Sequence, residues 1–295
     1  MTDALDRHRA SSGASASDPG DLSGASGPGA SSLEPLVADW VEGWTASRGL
    51  SATRRGGTWR VPIGLPDRWA EFVVPLGAGA GVDDRAADAD DAASPDLPAA
   101  EAVLLDTTLA EAVDAGSFGD AVWVTVVVPP ARVDVVVRAG LAAGLVVRSA
   151  EESFMAVELH HQAARAVPAG YVVDVDVAEA RAARGTVLRA VASPDVGGAE
   201  DLDAAVDVAP DADPVDAASG RAGLTAAGTA VPDKIQTSEA HRRRGLGGAV
   251  MHALVDECRR RGAAHGLLVA SVDGAGLYAA LGWRRVASVV VLATH

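Results

Sequence analysis

The sequence predicts a mixed α/β (α+β) protein with a central sheet flanked by helices, and three observations carry that expectation. Val-rich runs alternate with stretches whose apolar residues recur at three- and four-residue steps. Apolar residues make up 48% and charged residues 22% of the 295, ordinary values for a globular chain and far from fibrous or wholly disordered ones. Segments rich in Gly, Pro, Ser and Asp separate the runs as turns and loops. The length is about twice that of a common domain, which predicts two domains or one with long tails.

Each element follows from its own pattern. The first 32 residues are dominated by Ser, Gly, Ala and Asp and read as a disordered leader, too poor in apolar side chains to offset the entropy of ordering. From Leu33 to Leu50, Leu36, Val37, Trp40, Val41 and Trp44 mark one face of a helix. Strands follow at Thr58 to Ile63 and Trp69 to Pro75 around a Gly64-Leu65-Pro66-Asp67 turn. Gly77 to Ala100 is a solvated Asp/Ala loop, Leu104 to Ala115 a helix, and Ala121 to Val128 a buried strand closed by Pro129-Pro130. A helix over Arg132 to Ala143 leads to a strand pair, Leu145 to Val147 and Ser153 to Leu159. The apolar pattern breaks at 160–168, which divides a first domain, 33–162, from a second, 167–295. The second holds strands at Gly170 to Val177, Thr186 to Ala192, Gly220 to Ala227 and Gly228 to Thr237. An acidic insertion spans 194–219. A helix follows over Leu246 to Arg261, then a strand at Gly266 to Ala270, a short helix at Gly274 to Leu281 and a strand at Val286 to Ala293.

Charge narrows the function. Twenty-five Lys and Arg against 40 Asp and Glu give a net charge of −15, and Lys234 is the only lysine. Such a field repels nucleic acid and anionic lipid, so neither is expected as a partner, and it favours cationic substrates. One cysteine, Cys258, excludes a disulfide framework and suits a reducing cytoplasm. No Cys/His spacing predicts a metal. The adjacent His160 and His161 beside Glu158 would face opposite sides of a strand. No apolar run approaches a membrane span, and Met1 to Ala10 lacks the pattern of an export signal.

One segment concentrates chemistry. Ile235-Gln236-Thr237-Ser238-Glu239-Ala240-His241-Arg242-Arg243-Arg244-Gly245-Leu246-Gly247-Gly248 places three arginines and three glycines where a strand gives way to a helix. Free amides and the helix dipole make such a start a seat for a diphosphate, and glycines permit close approach. A solvated basic run beside a packing glycine is the structural alternative. No Gly-Lys-Ser/Thr follows, so it is not a Walker loop, and the glycine spacing does not fit a dinucleotide fingerprint.

Arg242-Arg243-Arg244-Gly245-Leu246-Gly247 resembles the acetyl-CoA signature of the GNAT superfamily of N-acetyltransferases, Arg/Gln-x-x-Gly-x-Gly/Ala. Leu277-Tyr278-Ala279-Ala280-Leu281-Gly282-Trp283 is similar to that family's later Leu-Tyr-x-x-x-Gly-Phe segment. The resemblance implies a GNAT-like mixed sheet, acetyl-CoA as cosubstrate, and transfer of its acetyl group to an unidentified, cationic amine. It further implies that Ile235, Gln236 and Thr237 line the pantetheine arm and that Arg242 to Gly248 hold the pyrophosphate. Tyr278 becomes the acid for the departing thiolate, consistent with a phenol of ordinary pKa near 10. Ser271, also placed at the cofactor, stands where the family commonly has asparagine, seven residues before the tyrosine.

Two gaps shape the remaining expectations. Few residues separate the strands ending at Val177 and starting at Thr186, whereas the family usually walls its acceptor site with two helices there. The first half, whose succession from Val122 to Leu159 echoes the end of a GNAT fold without the Arg-x-x-Gly-x-Gly motif, is therefore expected to be a degenerate GNAT-like half. It would cover the acceptor with Trp40, Trp44 or Trp59 unless these serve only the core. Asp233, Glu239 and the carboxylate of His295 are candidate bases. A CoA-binding sensor or interaction module without turnover is the alternative function, and self-association into a homodimer is compatible with the sequence.

Overall fold

The structure, a computed structural model, describes residues 31–79, 95–117, 119–179, 186–195 and 216–294. Nearly all of the expected leader, most of the Asp/Ala loop, the middle of the acidic insertion and His295 lie outside the described residues. In chain order the elements are β1 (Ser31–Ser32), α1 (Leu33–Ser47), β2 (Thr53–Arg55), β3 (Thr58–Leu65), β4 (Arg68–Pro75), β5 (Ala78–Gly79), α2 (Ala99–Gly116), β6 (Val122–Val128), α3 (Val133–Ala142), β7 (Val146–Glu158), β8 (Tyr171–Glu179), β9 (Thr186–Pro194), β10 (Ala218–Leu224), β11 (Thr229–Thr237), α4 (Leu246–Arg260), β12 (His265–Ala270), α5 (Val272–Ala280) and β13 (Arg284–Ala293). β1 pairs with β5 alone, and the other strands form one eleven-stranded mixed sheet.

The sheet order is β2-β3-β4-β6-β13-β7-β12-β11-β10-β9-β8. Both halves run strand, helix, parallel strand, helix, strand: β4-α2-β6-α3-β7 and β11-α4-β12-α5-β13. The last strand of each crosses to the other half, β13 pairing with β6 and β7 with β12, while β7 and β13 pair with each other at the centre. The chain thus interleaves across the expected boundary at 160–168. β7 also corrects the sequence reading of two strands from Leu145 to Leu159. Its polar middle, Arg148-Ser149-Ala150-Glu151-Glu152, lacks Gly and Pro and stays extended against β13, with register shifts absorbing the bend.

Burial explains the layers. Val124, Val126, Val127 and Val128 of β6 are fully buried because helices cover both faces of the sheet around them. Phe72, Val74, Val290 and Leu292 project to the side of α2 and α3, and Met155 and Val157 to that of α4 and α5. The alternating Val73, Phe154, Ala156, Val289 and Val291 project to the opposite side, which carries α1.

The helix α1 starts where the Ser32 side chain accepts a hydrogen bond from the Glu34 amide, an N-cap. Leu33, Val37, Trp40, Val41 and Trp44 then bury one face, each aliphatic contributing about 1.5–3 kcal/mol. The helix lies across β10 and β11, strands of the other half of the chain. It comes so close that a Cβ at Gly223 of β10 would stand 2.0 Å from the Gly43 carbonyl oxygen. Gly223→Ala must push α1 off the sheet, and we expect a loss of about 3 kcal/mol, read as a lower urea midpoint with an unchanged slope.

Candidate functional site

The site begins where two strands part. β11 and β12 pair in parallel only at Thr229↔His265 and Ala230↔Gly266. Pro232 then offers no amide to a neighbour. A bulge follows, with the β10 pairing shifting register between Ser219 and Arg221 and Lys234 held at φ +51°. Beyond it β11 leads away from β12, and the gap is open to both faces of the sheet. A cleft of about 1230 Å³ lies on the α4 and α5 side and a chamber of about 300 Å³ on the α1 side.

Most of the residues expected at the cradle line the cleft. Gly245 precedes α4 at φ +85°, a conformation that opposes a side chain, and Arg243 sits at φ +63°. The first helical bond runs from the Ala249 amide to the Gly245 carbonyl at 3.1 Å, so the amides of Leu246, Gly247 and Gly248 have no intrahelical acceptor. Their positive end of the dipole faces the cleft, which Arg242 and Arg243 flank. Ile235, Gln236, Thr237, Gly245, Leu246, Gly247, Gly248, Ser271 and Tyr278 line it as well, while the Leu246 side chain enters the core. Arg244 departs from expectation. Its guanidinium donates to the Tyr171 hydroxyl at 2.9 Å, outside the cleft, and that hydroxyl shares a 2.7 Å hydrogen bond with His241 Nδ1.

The first half lacks such a cradle among its described residues. The helix α2 starts after Pro98 with no side-chain cap, and Glu101 of its first turn accepts from Arg132 at 2.9 Å. Pro129 and Arg132 fill the space over Gly77.

Ile235, Ser271 and Tyr278 line both the cleft and the chamber, which places them at the passage between the two. Ser271 is the N-cap of α5, its Oγ accepting from the Gly274 amide at 3.2 Å. The segment that closes α5 anchors Tyr278, because the Trp283 amide donates to the Tyr278 carbonyl and the buried Trp283 indole donates to Gln162 at 2.9 Å. Burial first, and the charge of Asp233 second, push the Tyr278 phenol up to about 12.

The chamber joins the halves. Trp40 and Trp44 of α1 stack with centroids 5.2 Å apart on its wall, beside Trp123 of β6. Trp59, the third tryptophan expected there, packs in the core under Arg54 instead. Arg48 grips Asp233 with two hydrogen bonds of 2.8 and 2.9 Å. Arg68 pairs with Glu71, which is 1% exposed and also accepts from Thr125 Oγ1 at 2.5 Å. Glu152 of β7 completes the charged wall, and desolvation raises its carboxyl above the usual range. Of the candidate bases, Asp233 is thus tied to Arg48. Glu239 is exposed in a short turn and lines neither space, and His295 lies outside the described residues. Sequence reasoning missed Arg48, Arg68, Glu71, Trp123 and Glu152, since only the strand exchange brings them to Tyr278.

Two further groups carry side chains capable of chemistry. His160 and His161 do not face apart, because Leu159–His161 is a 3-10 turn that puts both imidazoles 3.1 Å from one Glu158 oxygen. Both imidazoles are exposed, Glu158 is half-buried, and the cluster lines neither the cleft nor the chamber. Cys258 is buried on the core-facing side of α4, and burial with the nearby Glu257 charge pushes its thiol up to about 12, which removes it as a nucleophile at neutral pH.

No protein-family model matches the sequence, and no curated protein matches it. The structure is similar to a GCN5-related N-acetyltransferase from Kribbella flavida, with a TM-score of 0.55 at 15% identity over 89% of this chain and 95% of that one. The fold is GNAT-like. A tandem GNAT protein from the clavulanic acid biosynthesis pathway also matches, with a TM-score of 0.48 at 15% identity over 82% of this chain and 80% of that one. In this GNAT-like fold the cradle, the bulged strand and Tyr278 converge on one gap.

The chain has only two tyrosines, so the phenol can be read directly. In a Tyr171→Phe background, alkaline absorbance titration is expected to show Tyr278 ionising near pH 12. Asp233→Asn should lower that midpoint, leaving it above the ordinary value of about 10 because burial persists.

Proposed function

We propose that the protein is an acetyl-CoA-dependent N-acetyltransferase that passes an acetyl group to a primary amine by direct attack. The observation that carries this reading is the passage lined by Tyr278, with a glycine- and arginine-lined cleft on one side and a chamber walled by α1 on the other.

The residues fit the cosubstrate. Amides of the α4 first turn and the side chains of Arg242 and Arg243 offer donors for a pyrophosphate, and glycine at 245, 247 and 248 leaves room for it. The extended Ile235-Gln236-Thr237 edge offers backbone partners to a pantetheine arm, and the bulge aims it at the gap. When bound, acetyl-CoA supplies a thioester carbonyl activated toward amines. Backbone amides freed by the bulge polarise that carbonyl oxygen.

Tyr278 donates a hydrogen bond to the leaving sulfur. A phenol near 12 gives its proton outright to a thiolate of ordinary pKa about 8.5 only against about 5 kcal/mol. Its role is therefore to hold the sulfur and pass on a proton released by the attacking nitrogen, so that the phenol ends as it began. The inert Cys258 leaves no cysteine to form an acyl-enzyme, in line with direct transfer. The lone buried thiol also suits a cytoplasmic setting.

Thermal shift with acetyl-CoA and thiol release over a panel of amines test the proposal. Tyr278→Phe is expected to lower kcat by about 10²-fold with little change in the KM for acetyl-CoA. Binding without thiol release for any amine would favour a sensor, and an unchanged kcat would remove Tyr278 from the reaction.

A further inference from the structure

The chamber on the α1 side has a composition that selects an occupant. Its apolar surface is Trp40, Trp44, Trp123, Val269 and Val291. Its charges come from three places in the first half and one strand of the second: Arg48 at the C-cap of α1, Arg68 and Glu71 on β4, Glu152 on β7, and Asp233 and Lys234 on β11, with Thr125 on β6 polar but neutral. Arg48 is matched by Asp233 and Arg68 by Glu71. Lys234 is exposed to solvent. Among the described residues no cation pairs with Glu152: Ser149 shares a hydrogen bond with its carboxylate, and the charges that act on it, Arg68 and Glu71, oppose each other.

We propose that this chamber is the acceptor site, that it takes a small primary amine with an apolar or aromatic body, and that Glu152 removes the ammonium proton. The inference rests on the acetyltransferase reading and adds the acceptor class and the base. A volume of about 300 Å³ is at the small end of ligand sites and is closed on one side by α1, so it suits a compact molecule better than a folded polypeptide surface. An ammonium group seeks the one chamber carboxylate that no cation holds, Glu152, which keeps only a hydrogen bond with Ser149, and the indoles and valines cover the rest of the molecule.

The proton accounting closes. The Glu152 carboxylate takes one proton from the ammonium, and the free amine attacks the thioester carbon. The C–N bond forms, the C–S bond breaks, and sulfur leaves with the electron pair. The second nitrogen proton reaches sulfur through the Tyr278 hydroxyl, while Glu152 returns its proton to water. Ammonium and thioester become amide, thiol and one released proton. Desolvation helps, since a carboxyl with a raised pKa is a better base than a solvated one.

The decisive experiment uses the full chain, 2-phenylethylamine and a lysine-containing hexapeptide as acceptors, and Glu152→Gln and Glu152→Asp as variants. We expect the wild type to acetylate 2-phenylethylamine and not the peptide, with kcat falling as pH is lowered through the Glu152 titration. Glu152→Gln should lose about 10²-fold in kcat together with that acidic limb, Glu152→Asp should recover part of both, and acetyl-CoA binding by calorimetry should be unchanged in either. A second readout guards against a merely structural role. The folded carboxyl holds its proton more tightly than the unfolded one, so Glu152 weakens the fold at neutral pH and ceases to do so below about pH 4.5. Glu152→Gln should accordingly melt above wild type at pH 8 and level with it at pH 4. Failure of the wild type to bind acetyl-CoA would defeat the enzyme reading itself. Binding and amine turnover with an unaltered pH profile in Glu152→Gln would defeat the base alone, and preference for the hexapeptide would defeat the acceptor class.

Discussion

The site depends on two adjacent strands that hydrogen-bond for only two residues. Parallel strands in a buried sheet ordinarily stay paired along their length, because unpaired backbone groups under a helix are costly. β11 and β12 part after Ala230 and Gly266. Pro232 removes one donor that would otherwise need a partner, and the bulge at Lys234 turns the next carbonyls and amides out of the ladder. The result is a slot through the sheet, and Tyr278, Ser271 and Ile235 border it. Tyr278 is the hinge of that arrangement, near both the cradle of α4 and the tryptophans of α1.

What the sequence made legible follows from how local each signal is. The helix at Leu246 and the short helix bearing Tyr278 are set by neighbours within a turn or two. Their places in the structure match the reading of the residues. Arg244 shows the limit: three consecutive arginines look equivalent on paper, and only the position of Tyr171, 73 residues away, turns the third aside. Glu71 and Glu152 were unreadable for a stronger reason. Each sits in a strand whose alternation predicts a buried or edge position equally well, and it takes a crossing of strands from opposite ends of the chain to set them opposite Asp233. The misread turn in β7 has the same origin, since a polar run stays extended only because β13 lies beside it.

The helix α1 solves the shortage of walls that the sequence presented. Strands β8 and β9 are joined by too few residues to carry helices of their own, and a helix from the amino-terminal side lies over β10 and β11 instead. The contact of Gly43 with Gly223 brings it to the sheet at a distance no side chain would permit, which in turn sets the depth of the chamber beneath Trp40 and Trp44. Arg48, the C-cap of the same helix, fixes Asp233 and so the charge seen by the Tyr278 phenol.

The crossing of β7 and β13 carries a consequence for synthesis on the ribosome. β6 has its place beside β13, more than 150 residues later in the chain, so its edge stays unpaired until that strand has emerged. β7 likewise waits for β12, more than a hundred residues later. Contacts of such long sequence separation form late and slowly. A Val-rich edge left open in the meantime is a template for pairing with other nascent chains. Production of this fold is therefore expected to favour conditions that shield that edge, such as slow translation or a chaperone, and fragments ending before β13 should be collected as aggregates.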